Sequence, residues 1–364
     1  MSDHDIRFMA LALSLGQRGL GQTWPNPSVG AVIVHDGRIV GRGWTQPGGR
    51  PHAEAMALAQ AGENARGATA YVSLEPCSHV GKTPPCALAL IEAGIQRVVC
   101  AVRDPDPRVA GRGVEMLRAA GIEVFEDVLG AQAKDAHIGF FSRIERGRPS
   151  VTLKLASSLD GRIATATGES QWITGPIARR RVHQMRACHD AVLIGGGTAR
   201  DDNPSLTVRD MGARTQPVRI VASSGLNVPL SSELAQTARE IPVWMMHGPK
   251  ANPDPWVAVG AKCVSIPLDG AGQLDASELL KALGDLGLTR VFCEGGGQFA
   301  ASLLNAGLVD DLVVFQAGLT LGSEGRPGVG QRDIAKLSDA VRFELASTEQ
   351  IGVDSLQMWR RTRN

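Results

Sequence analysis

Four residues in the first third of the chain have the types and order of a catalytic metal site: His52, Glu54, Cys77 and Cys86. One imidazole and two thiolates form a ligand set with which zinc can keep a fourth coordination position for water. A carboxylate two residues from the imidazole can move the protons of that water. The sequence therefore predicts a zinc-dependent hydrolytic site, with His52, Cys77 and Cys86 as ligands and Glu54 as the proton carrier.

The local sequence predicts how these residues are held. His52 and Glu54 follow a proline and precede strong helix formers, and Cys86 follows two prolines, so we expect all three in the first turns of helices. Residues two apart do not share a helix face, which favours His52 as the ligand and Glu54 as an outer group. A closed structural site is the alternative, and His79 could then be the fourth ligand.

Hydrophobic periodicity predicts strands alternating with helices along the whole chain, which favours an α/β class. In the first part we expect helices over 6–15, from 52, from 85, over 113–120 and up to 144, and strands over 29–34, 38–44, 70–74, 97–102 and 123–128. In the second part we expect strands over 151–155, 190–194, 218–222, 243–246, 291–293 and 312–315, and helices over 178–187, 279–286 and 299–306. A charged run with Gly and Pro at 145–149 predicts two domains, 1–146 and 147–364.

Composition limits the class of function. The 364 residues carry a formal net charge of +1 and only 4% aromatic side chains, so neither an electrostatic nor a stacking surface for nucleic acid is expected. The polar start and the lack of a long apolar run predict a cytoplasmic protein without membrane contact. Six cysteines are too few for a disulfide framework, and we expect buried core thiols at Cys100, Cys188, Cys263 and Cys293.

Two glycine runs follow predicted strands in the second part. The run Glu294-Gly-Gly-Gly-Gln-Phe-Ala300 has the Gly-x-Gly-x-x-Ala spacing with which a helix start can hold a pyrophosphate. The next acids, Asp310 and Asp311, come too early for a standard dinucleotide fold, and their position favours NADPH over NADH. The run ending at Thr198 is explained equally well by a tight turn.

Basic residues of the second part suggest where a phosphorylated substrate binds. Arg186 and Arg209 could grip a sugar phosphate with paired donors, although Arg186 could equally be a solvated charge. Lys154 lies on a predicted strand among apolar neighbours, which suggests a substrate or cofactor contact. Trp172 is as consistent with a core position as with a cofactor contact.

Longer strings point to a family. His52-Ala-Glu54 followed by Pro76-Cys77 resembles the signature of zinc-dependent nucleobase deaminases, although the usual two-residue spacing to the second cysteine is here a long loop. That loop, with Glu75-Pro-Cys-Ser-His79, Gly81-Lys-Thr-Pro-Pro-Cys86 and Pro25-Asn-Pro-Ser-Val-Gly30, resembles the bifunctional deaminase–reductase family of riboflavin biosynthesis. The likeness continues in Asp104-Pro-Asp-Pro, Lys154-Leu-Ala-Ser-Ser-Leu-Asp-Gly161 and Gly168-Glu-Ser-Gln-Trp-Ile-Thr174 and covers nearly the whole chain.

The resemblance implies a three-layer α/β/α cytidine-deaminase-like domain followed by a dihydrofolate-reductase-like α/β domain. It implies deamination of 2,5-diamino-6-ribosylamino-4(3H)-pyrimidinone 5′-phosphate and NADPH-dependent reduction of its ribosyl group. In the first domain it implies that Asn26, His79 and Lys82 contact this substrate, although Lys82 could also be a surface lysine. In the second domain, the implied cofactor contacts are Ala156, Trp172, Thr198, Asp202, Ser224, Gly296 and Gly297, and the implied substrate contacts are Lys154, Ser170, Arg186, Leu206, Arg209 and Glu294.

Two other functions remain open on the sequence alone. A nucleic-acid-editing deaminase would carry a basic, aromatic second domain, and a non-catalytic zinc-stabilised dinucleotide-binding module would have four metal ligands and no role for Glu54. The expected partners are small molecules and further copies of the chain, as a dimer or tetramer.

Overall fold

The computed structural model describes residues 2–79, 84–212 and 215–362. The chain divides into two compact units, Met1–Gly147 and Arg148–Asn364. The predicted boundary after residue 146 lies one residue before this division. Both units combine sheets with helices, which confirms the predicted α/β class. No helix in the described ranges has the length and apolar character needed to cross a membrane.

The first unit is built on a five-stranded sheet in the order β2-β1-β3-β4-β5. Strand β1 pairs antiparallel with β2 and β3, and β3, β4 and β5 run parallel. The predicted hairpin turn is confirmed, because Asp36 and Gly37 have positive φ angles of 48° and 73°. The strands are β1 Gly30–His35, β2 Arg38–Trp44, β3 Thr69–Val72, β4 Arg97–Cys100 and β5 Glu123–Phe125, and the helices are α1 Asp3–Gly16, α2 Ala53–Ala61, α3 Cys86–Glu92, α4 Arg112–Ala119, α5 Gly130–Ala136 and α6 Ile138–Arg146.

Two glycines let helices approach the two faces of this sheet. A methyl group on Gly30 would lie 1.9 Å from the Ala12 carbonyl oxygen of α1, and one on Gly43 would lie 2.2 Å from the Ala53 oxygen of α2. Gly43 pairs with Ala31, the residue next to Gly30. Since successive strand residues face opposite sides, α1 and α2 cover opposite faces of the sheet. This arrangement confirms the predicted three layers.

The second unit is built on a nine-stranded sheet in the order β11-β10-β9-β8-β12-β6-β13-β16-β15. All neighbours from β11 to β13 run parallel, whereas β16 is antiparallel to both β13 and β15. A separate pair joins β7 and β14. The strands are β6 Ser150–Ser157, β7 Arg162–Ala164, β8 Ala191–Gly195, β9 Val218–Ala222, β10 Val243–His247, β11 Lys262–Ser265, β12 Arg290–Cys293, β13 Asp311–Gln316, β14 Arg326–Pro327, β15 Phe343–Ile351 and β16 Asp354–Arg361, and the helices are α7 Pro176–Ala187, α8 Gly196–Asp202, α9 Glu233–Gln236, α10 Asp254–Ala258, α11 Ala276–Asp285 and α12 Gly297–Asn305.

The parallel strands of the second unit place their carboxyl ends at one edge of the sheet. Ligands of open parallel sheets bind outside this edge. The ends of β8, β9 and β12 bring Gly195, Ser224 and Glu294 into the wall of a single cleft, and β6 contributes Lys154 from within the strand. The strand ends thus determine where a site of this unit can form.

Some expectations were wrong. All six cysteines are free, but only Cys100 and Cys293 of the four expected core thiols are buried, whereas Cys188 and Cys263 are half-buried. The glycine run before Thr198 begins helix α8 instead of forming only a turn. The short elements α5, α9, α10, β7, β11 and β14 and the hairpin β15–β16 were not predicted.

Candidate active sites

The predicted metal ligands meet in the first unit. His52 Nδ1 lies 3.3 Å from Cys86 Sγ and 3.7 Å from Cys77 Sγ. His52 is the residue before α2, with extended backbone angles, and not in the first turn as expected. Its side chain makes no capping hydrogen bond. The imidazole is therefore available to face the two sulfurs.

These spacings fit a tetrahedral zinc ion. Bonds of about 2.0 Å to nitrogen and about 2.3 Å to sulfur place tetrahedral nitrogen and sulfur ligands about 3.5 Å apart, between the two observed distances. The ligand atoms of His52, Cys77 and Cys86 all lie within 4.8 Å of one another, and no fourth His, Cys, Asp or Glu of the described residues joins the group. His79, the alternative fourth ligand, is not part of it. A three-ligand group leaves one position for water, which favours a catalytic over a closed site.

The surroundings of Cys77 favour its thiolate form. Cys86 is the first residue of α3, and its backbone N–H donates to Cys77 Sγ at 3.3 Å. Hydrogen bonding from the Cys86 thiol, and further contacts with His52, lower the pKa of Cys77 to about 4. A thiolate is the form that binds a metal.

Glu54 lies beside this group in the first turn of α2. It is only 4% exposed. Burial and the charge of Cys77 raise the pKa of Glu54 to about 7, and His52 opposes the shift. A buried carboxyl with a pKa near neutrality can both accept and return a proton, as the predicted role requires.

Glu75 is a residue of this site that sequence reasoning missed. Its Oε1 accepts the backbone N–H groups of Gly113 and Val114, and its Oε2 accepts those of Asp104 and Gly111, at 2.9–3.2 Å. The carboxylate thus fixes the loop before α4 and the first turn of α4. Glu75 itself stands two residues before the metal ligand Cys77. The Glu75-Pro-Cys string is evident in the sequence, but the partners of Glu75 lie 29 to 39 positions later in the chain.

The structure describes the surroundings of two of the three remaining predicted contacts of the first unit. Asn26 packs on Gly49, where a methyl group would lie 2.0 Å from Asn26 Nδ2, so it is held close to the segment that carries His52. The buried Nδ1 of His79 has no hydrogen-bond partner among the described residues. Lys82 lies outside the described residues. The substrate roles of all three stay predictions.

The loop after β4 is less exposed than its sequence suggests. Asp104 and Asp106 each precede a proline, a context typical of exposed turns, yet both are buried. Burial raises the pKa of Asp104 to about 7. The Arg108 guanidinium, with a smaller contribution from His79, holds the pKa of Asp106 below its usual range. Both acids therefore belong to the surroundings of the metal group.

The second unit contains a cleft of about 2510 Å³. A pocket for one small ligand measures about 300–1,000 Å³, so this cleft has room for a dinucleotide and a second ligand. Its walls include every residue predicted as a cofactor or substrate contact in this unit, namely Lys154, Ala156, Ser170, Trp172, Arg186, Thr198, Asp202, Leu206, Arg209, Ser224, Glu294, Gly296 and Gly297. The structure brings them together, and the role of each stays a prediction.

A buried ion pair occupies part of this cleft. Arg186 Nε and Nη2 donate to the two carboxylate oxygens of Glu294 at 2.5 and 3.0 Å, and Arg186 Nη1 donates to the Thr207 carbonyl. The Arg186 side chain is only 12% exposed, so its interpretation as a solvated charge is wrong. Its paired donors bind Glu294, so they are not free to bind a phosphate.

The charges around Glu294 are unequal. Burial would raise the pKa of Glu294, but the charge and hydrogen bonds of Arg186 outweigh it and hold the pKa below its usual range. Lys154 Nζ lies 4.0 Å from Glu294 Oε2. Burial lowers the pKa of Lys154, and Glu294 offsets this only in part. Asp202 also acts on the charge of Lys154, so the two cations of this group face two carboxylates.

The predicted cofactor contacts include both fixed and exposed groups. The Gly296 N–H donates to Thr198 Oγ1 at 3.1 Å, which joins the starts of α12 and α8. Ser170 Oγ donates to Asp202 at 3.4 Å. Trp172 is 66% exposed beneath the Arg179 guanidinium, so it is not a core residue. The wall also includes His183, which sequence reasoning missed and which has no distinctive local motif.

A zinc-ligand group with a buried glutamate, followed by an α/β unit with a dinucleotide-sized cleft, defines the class of a zinc-dependent deaminase joined to a reductase. Family models agree: residues 2–102 match the cytidine and deoxycytidylate deaminase zinc-binding region, and residues 149–356 match the RibD C-terminal domain. The chain belongs to the RibD family, the bifunctional deaminase–reductases of riboflavin biosynthesis.

Full-length relatives support this assignment. The riboflavin biosynthesis protein RibD of Haemophilus influenzae is 44% identical, with 97% of this chain and 96% of the relative covered. RibD of Escherichia coli is 43% identical, with coverages of 96% and 97%. The solved structure of Acinetobacter baumannii RibD has a TM-score of 0.90 at 37% identity, and that of a diaminohydroxyphosphoribosylaminopyrimidine deaminase/5-amino-6-(5-phosphoribosylamino)uracil reductase from Thermotoga maritima has 0.86 at 35%, each covering 99% of both chains.

These findings decide between the three functions considered. The second unit matches a reductase domain. A nucleic-acid-editing deaminase would instead need a nucleic-acid-binding domain at this place in the chain. The first unit lacks the fourth ligand of a closed zinc module within its described residues. The chain is therefore an enzyme with hydrolase and oxidoreductase domains, and its cofactors are zinc and NADPH.

Proposed function

We propose that the first unit removes an amino group hydrolytically from 2,5-diamino-6-ribosylamino-4(3H)-pyrimidinone 5′-phosphate. The single observation that carries this proposal is the group of His52, Cys77 and Cys86 beside the buried Glu54. Zinc held by these three residues would lower the pKa of a bound water to near 7. Glu54 would accept a proton as the water oxygen adds to the ring carbon, and it would return a proton to the nitrogen that leaves as ammonia.

Three side chains position the pyrimidine in this proposal. Asn26, which is held against Gly49, faces the ring. His79 has a buried Nδ1 without a partner among the described residues, and a ring or ribose atom could satisfy it. Lys82 supplies charge for the ribose phosphate. Positioning by several groups reduces the entropic part of the barrier.

We further propose that the second unit reduces the ribosyl side chain of the deaminated compound to give 5-amino-6-ribitylamino-uracil 5′-phosphate. NADPH supplies the hydride when bound. Glu294, fixed by Arg186 and flanked by Lys154, orients the sugar beside the cofactor, and Arg209 receives its phosphate. Ser170 and Leu206 complete the substrate side, and the cofactor side consists of Ala156, Trp172, Thr198, Asp202, Ser224, Gly296 and Gly297.

The deaminase assignment is tested by Glu54→Gln. This variant should keep its zinc, measured by metal analysis, and its NADPH-dependent reduction of the deaminated intermediate. Its rate of ammonia release should fall by about 10²- to 10⁴-fold, the usual contribution of a general acid–base group. Glu63→Gln, an exposed glutamate just after the same helix, is the matched control and should keep both activities. Wild-type ammonia release from Glu54→Gln would refute the assignment.

We propose that each compact unit is a functional domain. The second unit begins at Arg148, whose guanidinium donates to Asp310 at 2.7 Å within that unit. A fragment of residues 148–364 should therefore fold and bind NADPH alone, as measured by circular dichroism and calorimetric titration. An insoluble or non-binding fragment would argue against two independent domains.

We also propose that copies of the chain associate. Strand β15 is an edge of the nine-stranded sheet, and residues 344–350 of it are exposed on both faces. Unpaired edges of this kind favour pairing with another strand. Light scattering should give a dimer or tetramer, and Leu345→Lys should lower the mass; a wild-type monomer would contradict this.

We propose a cytoplasmic location for the protein. Free thiols at all six cysteines support a reducing, cytoplasmic location.

A further inference from the structure

The ends of β8 and β9 lie side by side in the wall of the cleft, where Gly195 pairs with Ala222. Glycine at residue 196 allows two polar groups to approach this point: a methyl group there would lie 2.9 Å from Ser223 Oγ and 3.3 Å from Arg200 Nη1. A hydroxyl and a guanidinium therefore lie close together at this part of the wall. All three residues line the cleft that also contains Ser224, a predicted cofactor contact.

Arg200 differs from most other cations of this cleft. Lys154 and Arg186 face Glu294, and Arg326 lies 3.7 Å from a carboxylate oxygen. The Arg200 guanidinium has neither an ion pair nor a hydrogen bond with any residue in the described ranges. Its charge is thus available to a ligand of the cleft.

The chemistry of the two groups identifies the kind of ligand. Guanidinium and hydroxyl groups both donate, and a planar guanidinium matches a phosphate with paired donors. A free ribose diol, as in NADH, is instead usually held by a carboxylate, whereas a nearby arginine accommodates a ribose 2′-phosphate. Neither Arg200 nor Ser223 provides an acceptor of that kind.

We propose that Arg200, with Ser223, binds the 2′-phosphate of NADPH and gives this domain its preference for NADPH over NADH. The inference rests on the proposed reductase function and adds a specificity-determining residue to it. The substrate phosphate has a separate partner in Arg209, whose backbone N–H lies against His183 Nδ1 on the wall formed by α7. The two terminal phosphates are thus assigned to different arginines of the cleft, Arg200 and Arg209.

Binding to the full chain tests the proposal without turnover. Isothermal titration should show that Arg200→Ala weakens NADPH and 2′,5′-ADP by roughly 10- to 100-fold, the loss expected when a charged hydrogen-bond partner is removed. The affinity for NADH, which has no 2′-phosphate, should be unchanged. Arg200→Lys should keep part of the preference, because it restores the charge but not the paired donors.

Arg180→Ala is the matched control, since Arg180 is another exposed arginine that lines the cleft. It should bind both nucleotides like the wild type. The proposal is overturned if Arg200→Ala binds NADPH as tightly as the wild type, if it loses NADH equally, or if Arg180→Ala weakens NADPH to the same extent. A wild-type chain that binds neither nucleotide would overturn the reductase function together with this assignment.

Discussion

Replacing Glu75 by glutamine should unfold the deaminase domain at a much lower urea concentration. The buried carboxylate accepts four backbone N–H groups, two on each oxygen. In Glu75→Gln an NH₂ group replaces one of the two carboxylate oxygens. This NH₂ group faces two backbone N–H groups, and since all of them are donors, two hydrogen bonds are lost. The change is almost isosteric, so the effect measures hydrogen bonding and charge, not volume.

The size of the effect follows from the two lost bonds. A hydrogen bond to a charged group contributes about 1.5–3 kcal/mol, so the free energy of unfolding should fall by about 3–6 kcal/mol. A domain is stable by about 5–15 kcal/mol in total. With a urea dependence of about 2 kcal/mol per molar, the midpoint should move by about 2 M.

The assay follows the two domains separately in one urea titration. Retained zinc reports the first domain and NADPH binding reports the second. Only the zinc midpoint should move, because all partners of Glu75 lie in the first unit. Glu115→Gln, an exposed glutamate of α4, should change stability by less than about 0.5 kcal/mol. Equal zinc midpoints for the two variants would refute the reasoning, as would a parallel loss of NADPH binding.

Two further predictions concern buried ion pairs. The Arg97 guanidinium holds the pKa of Asp5 far below its usual range. Because the folded-state pKa is the lower one, this stabilisation of about 2 kcal/mol is present at neutral pH and is lost as the pH falls below about 4. Acid titration of the wild type, followed by circular dichroism, should show this loss, and Asp5→Asn should be less stable at pH 7 but less sensitive to acid. Arg186→Met should leave Glu294 with only the distant Lys154 cation and abolish NADPH oxidation, while ammonia release continues; unchanged oxidation would contradict the positioning role.

The regular parts of the fold could be predicted because their patterns are strong. Strand β9 was predicted at its observed bounds, 218–222, since four of its five residues are apolar and turn residues flank it on both sides. The strand β15 was missed because residues 344–350 are exposed on both faces and have no alternation of apolar and polar side chains. Helix α8 was missed because glycines in a first turn resemble a loop.

The two sites differ in how far the sequence reveals them. The metal ligands could be predicted because their residue types are chemically distinctive and two of them stand at helix starts. The supporting contacts of Glu75 could not, because they are backbone groups of a distant loop, which have no residue-type signal. Residue type and spacing indicated Lys154, Arg186, Arg209 and the glycine run at 294–300 in the reductase domain. Contacts such as Ala156 and Leu206 came only from the family resemblance, since alanine and leucine have no distinctive chemistry.

The two buried ion pairs have the same chemistry but different locations, and the location indicates what each pair does. Asp5–Arg97 and Arg186–Glu294 both pair a buried carboxylate with two guanidinium donors. Burying such a pair costs desolvation energy that offsets much of its attraction, so the strength of the interaction alone does not assign a role to either pair. Asp5 also accepts the Tyr71 hydroxyl and thereby joins α1 to the sheet. Glu294 instead lines a cleft with Lys154 beside it, and a carboxylate held rigid there can orient a ligand without further loss of entropy. The same chemistry thus supports the fold in one domain and, in the function that we propose, the reaction in the other.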